Sequence, residues 1–324
     1  MTFYPLIFSP AFHARVWGGR NLEKFLEKKL PAQSIIGESW EIYDTNIIIN
    51  GEYSGHTLKE LLSQFPREIG GTLYDGGDFP LLVKFLDAQD WLSVQVHPND
   101  ELAQSLEGQP RGKTECWYVV EAEPDAAIIY GFSERITAQD FRDAIDNGNV
   151  KELLHFVNVK KGDFIFVPAG TIHALGKGVI IYELQQTSDT TYRLYDWDRL
   201  GLDGAPRELH IDKGLICTDF SLIRPSLHLE TTSINHQHYT EEQLTDNPYF
   251  SLQRITDFTG IKEYSFDGTA AQIITILEGI ITISGNFDDV IVHKGMTVLL
   301  PACSQHCQII ANDKCELLIA HYNS

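Results

Sequence analysis

One spacing occurs twice in this chain and limits its fold more than any other feature. Residues 162–173 read Gly-Asp-Phe-Ile-Phe-Val-Pro-Ala-Gly-Thr-Ile-His, and residues 295–306 read Gly-Met-Thr-Val-Leu-Leu-Pro-Ala-Cys-Ser-Gln-His. Both fit G-x5-P-x4-H. A glycine supplies a turn, a short apolar run supplies a strand, and a proline that cannot donate to a ladder ends it. A histidine then opens the next strand. Two such blocks, over a hundred positions apart, imply two β units built alike.

Composition allows this and removes other readings. The chain has 324 residues, 43% of them hydrophobic and 11% aromatic, enough for two modest packed domains and too apolar for global disorder. A net charge of −20 argues against a nucleic-acid groove, which needs concentrated Lys and Arg. It leaves room for a small anionic ligand held by a few local cations. Residues 1–8 lack the basic start and long apolar core of a secretory leader, and no apolar run reaches the ~18 residues of a membrane span. Cys116, Cys217, Cys303, Cys307 and Cys315 form an odd, irregular set, which suggests reduced thiols in a cytoplasmic protein. Cys303, His306 and Cys307 are read as ordinary barrel residues rather than a zinc cluster.

The coarse pattern is mainly β with added helices. Helices are expected over Asn21–Leu30, stopping at Pro31, over Leu58–Phe65, and briefly after Asn99. Thr137-Ala-Gln-Asp140 is a capping-box signature that opens a helical insert near 135–156. Strands are expected within Phe79–His97, at Cys116–Val120, Ala126–Tyr130 and Val179–Gln185, and late at Thr297–Leu300, Cys307–Ile310 and Glu316–Ala320. Residues 270–285 read as a hairpin turning at Glu278-Gly279. The texture changes after Arg224-Pro225, which sets a boundary near 225 between domains 1–225 and 226–324, with Thr231–Asn247 as a connector.

The repeated block resembles the later half of a cupin-type jelly-roll barrel, so two cupin domains are expected. Only the first copy has candidate ligands upstream. Gln95 and His97 are two apart on a presumed strand and project to one face. Glu115 opens a nearby strand, and His173 ends the block. A lone histidine in an apolar setting is ordinarily structural, but three barrel positions that should converge all carry ligand types. Two imidazoles and a carboxylate suit Zn²⁺ with an open position, and such a set also accepts Mn²⁺, Co²⁺ or Fe²⁺. His306 has no upstream partners, so the second barrel is expected to be metal-free.

A polar strip follows the first block. Alternation places Glu183 and Gln185 on one strand face, and Arg193 sits among aromatic residues that could stack its guanidinium. A fixed arginine suits a phosphate or a developing oxyanion.

Trp17-Gly-Gly, Ser93-Val-Gln-Val-His-Pro-Asn-Asp100, Gly112-Lys-Thr-Glu-Cys-Trp117, Pro168-Ala-Gly-Thr-Ile-His-Ala174 and Gln185-Gln-Thr-Ser-Asp-Thr-Thr-Tyr-Arg193 together resemble type I mannose-6-phosphate isomerases in their shorter bacterial form. That resemblance implies zinc held by Gln95, His97, Glu115 and His173, with Arg193 as the active-site arginine. Lys113, Ser93 and Glu183 match further family positions. The implied reaction interconverts mannose 6-phosphate and fructose 6-phosphate by proton transfer between C1 and C2, with Glu183 and Lys113 as candidate bases. Ser93, Lys113 and Arg193 are the expected contacts to the phosphorylated hexose. Longer family members carry Lys-Pro-Glu where this chain has Lys113-Thr-Glu115, and they contain a larger helical domain. The competing readings are a non-catalytic metal- or sugar-binding cupin and a metal-dependent dioxygenase. Loss of ligands would mark the first and a His-rich site the second.

Overall fold

A computed structural model describes residues 3–227 and 231–323. The architecture is mainly β with short helices added, in three antiparallel sheets. A six-stranded sheet runs in the order Ala11–Gly19, Ile36–Ile42, Leu81–Ala88, Val179–Gln186, Glu115–Ala122 and Phe164–Val167. A five-stranded sheet orders Tyr192–Tyr195, Val94–Val96, His173–Leu175, Ala127–Phe132 and Leu154–Asn158. Between them lies an apolar layer in which Trp117, Val119, Ile165 and Ile181 of the first sheet meet Ile128, Tyr130 and Leu175 of the second.

The remaining strands form a nine-stranded sheet to which Leu6–Ile7, from the opposite end of the chain, adds an edge by pairing with Thr297–Leu300. Its interior is mainly apolar, with Ile274, Ile276, Ile283, Val292, Val298 and Leu317 packed together. A further core joins early and late segments. Phe79 and Tyr322 meet edge to face at 5.6 Å, and the Tyr322 hydroxyl donates to the Gly70 carbonyl.

Both copies of the repeated block adopt the expected local form. Gly162 (φ +90°) and Gly295 (φ +76°) occupy the left-handed region, strands Phe164–Val167 and Thr297–Leu300 follow, and His173 and His306 each begin the next strand. Their surroundings differ: His173 is buried, whereas His306 is exposed with Nδ1 2.9 Å from Ser265 Oγ.

Several local expectations change. The first helix is only Asn21–Leu26, because Glu27 turns left-handed at φ +55° before Pro31 is reached. The capping box at Thr137 and Asp140 does start a helix, but Ala138–Asp146 ends at Asn147-Gly148. After one 3-10 turn, Leu154–Asn158 is a strand at the edge of Ala127–Phe132, so the helical insert stops short of 156. The connector at 231–247 contains a strand pair, Thr232–Asn235 with Thr240–Asp246. Its polar composition reflects an exposed sheet edge at Thr232–Asn235, while Thr240–Asp246, paired on both sides, buries Leu244.

Glu278-Gly279 is not a hairpin turn. Gln272–Glu278 and Ile280–Ser284 both run along one strand, His306–Tyr322, as a single bent ribbon. Gly279 makes the bend at φ +85°, and a Cβ there would lie 2.5 Å from Cys315 Sγ. The same long strand absorbs the two late strands expected separately, with an irregularity opposite Phe258–Gly260 taking up the polar residues between them. Cys303 is exposed in a loop rather than buried on a strand, and all five cysteines are unpaired.

Candidate active site and metal centre

Strand register assembles the site from two facing rows. In the five-stranded sheet Gln95 lies directly opposite both His173 and Arg193, so one row across three strands carries all three. His97 is two residues beyond Gln95 and shares its face. In the six-stranded sheet Glu183 lies opposite Lys84 on one side and Trp117 on the other, with Glu115 opposite Gln185 two positions along. Alternation turns this second row, with Glu115, toward the first.

His97, Glu115 and His173 converge: the ligand atoms lie within 4.8 Å of one another, and all three residues are buried. His97 Nε2 is 3.6 Å from Glu115 Oε2, and His173 Nε2 is 3.5 Å from Glu115 Oε1. The far side of each imidazole fixes its tautomer. His97 Nδ1 sits 3.0 Å from the Thr190 carbonyl and His173 Nδ1 2.9 Å from the Thr171 carbonyl. A carbonyl only accepts, so each Nδ1 carries hydrogen and each Nε2 presents a lone pair to the cluster. Burial, together with the Lys113 charge, keeps His97 well below the ordinary histidine range, and burial takes His173 down to about 4. Two neutral imidazoles facing a carboxylate are what a divalent cation requires, so the residues present fit a metal.

Gln95 joins the cluster, with its amide Nε2 3.2 Å from His173 Nε2. A half-turn of the carboxamide exchanges nitrogen for oxygen and would present an acceptor instead. Ser93 Oγ is 3.5 Å from Gln95 Oε1. Lys113 sits against the ligands themselves, its ammonium 2.7 Å from Glu115 Oε2 and 3.1 Å from His97 Nε2. Burial alone would lower its pKa, but Glu115 and Glu183 outweigh that and hold it above the usual lysine range.

Glu183 pairs with Lys84 at 3.2 Å and accepts from Trp117 Nε1 at 3.1 Å. Burial, reinforced by Glu115, pushes its carboxyl upward, against the opposing pull of Lys84 and Lys113. Arg193 is half-buried. The expectation that aromatics stack its guanidinium is corrected: Nη1 donates to the Glu208 carbonyl at 2.8 Å, and among the described residues no ring holds it. The strand ends soon after this residue, which brings the 199–210 loop rather than a ring alongside it.

Above the cluster opens a cavity of about 670 Å³, lined in part by Gln95, Ser93, Lys113, Glu183 and Arg193. The sequence assigned no role to several further charged residues on its wall, among them Arg15, Glu38, Lys84 and Arg207. Arg15 Nε donates to Glu38 at 2.7 Å, and Arg207 Nε donates to Asp196 at 2.7 Å. Burial would raise the Glu38 carboxyl, but Lys84 and Arg15 bring it down to about 2. The one available signal was Lys84, a charged residue inside the apolar run Pro80-Leu-Leu-Val-Lys-Phe-Leu. Arg15, Lys84, Lys113 and Arg207 thus each face a carboxylate. Arg193 alone among the cavity's Lys and Arg side chains has no carboxylate within 4.0 Å among the described residues, and its buried Nε has no hydrogen-bond partner. Its charge is therefore available to a ligand.

Known proteins resemble this chain along most of its length. Residues 6–128, which include Gln95, His97, Lys113 and Glu115, match the family model for the phosphomannose isomerase type I catalytic domain. Mannose-6-phosphate isomerase ManA of Bacillus subtilis is 43% identical over 291 residues, 86% of this chain and 87% of that relative. Mannose-6-phosphate isomerase of Streptococcus mutans is 36% identical over 98% of both chains. The crystal structure of a mannose 6-phosphate isomerase from Bacillus subtilis superposes with a TM-score of 0.90 at 33% identity, covering 98% of this chain and 100% of that one. The chain belongs to the type I phosphomannose isomerase family and shares its cupin-like β fold.

Proposed function

We propose that the chain is a zinc-dependent isomerase interconverting mannose 6-phosphate and fructose 6-phosphate, with the metal held by Gln95, His97, Glu115 and His173. The observation that carries this reading is the convergence of two Nε2 lone pairs and one carboxylate beneath a cavity whose Arg193 has no carboxylate within 4.0 Å among the described residues. Membership of the family implies a metal, and the relatives named above supply the substrate. Zinc is preferred among divalent cations because half of the set is imidazole nitrogen. The unpaired cysteines fit a reducing compartment, and the cytoplasm is the assigned location. No helix among the described residues is long and apolar enough to cross a membrane. The boundary between the two cupin units is placed near residue 225.

A bound divalent cation would act as a Lewis acid on the sugar oxygens at C1 and C2. Glu183 takes the proton from one of these carbons and returns it to the other, while a hydroxyl proton moves between the two oxygens and the total is conserved. Its burial suits this work, because a carboxylate raised toward neutrality is the stronger base. Lys84 keeps it oriented from one side. Lys113, held cationic, and Arg193 offset negative charge on the enediol and on the phosphate. Ser93 serves the substrate as a small hydrogen-bonding group. A non-catalytic cupin would have no use for a buried carboxylate poised between two ammonium groups.

A coupled assay for fructose 6-phosphate tests this reading. Dialysis against a chelator should abolish activity, and Zn²⁺ should restore it. Activity unaffected by complete metal removal would sink the proposal. In the same assay Glu183→Gln should lower kcat by about 10²- to 10⁴-fold, the usual contribution of a general base. Its KM and bound metal should stay near wild type, because glutamine still accepts from Trp117. A loss of only a few fold would take the proton transfer away from Glu183.

A further inference from the structure

Trp117 is fully buried between the two facing rows. Its Nε1 is 3.1 Å from Glu115 Oε1 and 3.1 Å from Glu183 Oε2. An indole carries a single N–H and no acceptor, so one hydrogen is shared by two carboxylates. The two oxygens lie within about 6 Å of each other, where like charges away from water repel strongly. The other oxygen of each carboxylate faces its own ammonium: Lys113 at 2.7 Å for Glu115 and Lys84 at 3.2 Å for Glu183. Each carboxylate is thus held by a private cation on one side and by the same indole on the other. The ring of Trp117 also meets His173 edge to face, with centroids 5.4 Å apart.

We propose that Trp117 is a positioning residue that ties the metal-facing carboxylate of Glu115 and the proton-transferring carboxylate of Glu183 into one frame. This inference rests on the functional reading above. Bulk alone cannot do it. A phenyl ring would keep the contact with His173 and most of the packing, yet leave one oxygen of each carboxylate without a donor. Both groups could then rotate, one away from the cation site and the other away from the sugar carbons. Hydrogen-bonded partners of metal ligands typically govern affinity by 10- to 100-fold.

The test compares wild type with Trp117→Phe and with a chain carrying 3-benzothienylalanine at 117, which matches the indole in shape and lacks the N–H. Zn²⁺ affinity is measured on apo protein by competition with a chromogenic chelator, alongside circular dichroism and Tm. Both variants should bind Zn²⁺ about 10- to 100-fold more weakly. At saturating Zn²⁺ they should lose kcat about 10-fold or more with KM for mannose 6-phosphate little changed, because the misplacement affects the reacting geometry rather than uniform binding. If Trp117→Phe fails to fold, the isosteric analogue decides the matter. Wild-type affinity and kcat in the folded analogue would reduce Trp117 to core packing and overturn the proposal. Wild type that neither bound Zn²⁺ nor isomerised the sugar would overturn the underlying reading as well.

Discussion

Replacing His173 with alanine is expected to remove bound metal and activity together while leaving the β framework folded. His173 contributes an Nε2 that lies 3.5 Å from Glu115 and 3.2 Å from the Gln95 amide, oriented by a backbone carbonyl on its other nitrogen. Without it the site keeps one imidazole, one carboxylate and the Gln95 amide, one ligand short of the four-residue set proposed to hold the metal. Metal measured by elemental analysis should fall to about a tenth of wild type or less, and isomerase activity should be lost to a similar degree. The fold should survive because the core between the two sheets rests on Trp117, Val119, Ile128 and Ile165 rather than on this imidazole. Truncation of a buried side chain still costs about 1–3 kcal/mol, visible as a lower urea midpoint. Full metal occupancy in the folded variant would show that His173 is not a ligand.

Arg193→Ala should act on the chemistry and spare the metal. Arg193 stands opposite Gln95 in the same row as His173, yet among the described residues its guanidinium donates to the Glu208 carbonyl and has no carboxylate within 4.0 Å. The other cavity cations are already neutralised by Glu38, Glu183, Glu115 and Asp196. Removing the free charge should lower kcat by about 10²- to 10³-fold, the scale for losing one preorganised donor to a transition state. Bound zinc should equal that of wild type. Arg193→Lys should recover little, since an ammonium cannot reproduce the planar fork. A rise in KM with kcat unchanged would instead assign Arg193 to uniform binding of the phosphate. No change in either constant would remove it from the site.

The local signals in this chain were strong where a single segment decides the outcome. A glycine at positive φ, a short apolar run, a proline and a histidine place His173 and His306 at strand starts whatever the rest of the molecule does. The i, i+2 relation of Gln95 and His97 fixes a shared face for the same reason. Sequence by itself therefore determined the β class and the paired blocks, and it pointed to the four residues proposed to hold the metal.

Where neighbours decide, the local pattern points to the wrong element. Residues 270–285 read as a hairpin because both halves are apolar and a glycine lies between them. Only a third strand, His306–Tyr322, pairing with both halves, turns that glycine into a bend. Residues 154–158 continue a helical pattern, yet the exposed edge of Ala127–Phe132 captures them as a strand. The pairings that support the site were likewise hidden. Trp117 and Glu183 are 66 residues apart in sequence, and Lys84 pairs with a carboxylate on a distant strand. Their side chains acquire meaning only when antiparallel register sets them directly opposite one another, because hydrogen bonds and ion pairs act over a few ångströms while strand order is a global property. Tertiary structure alone decided that Arg193 keeps its charge free and that Trp117 shares one hydrogen between two carboxylates.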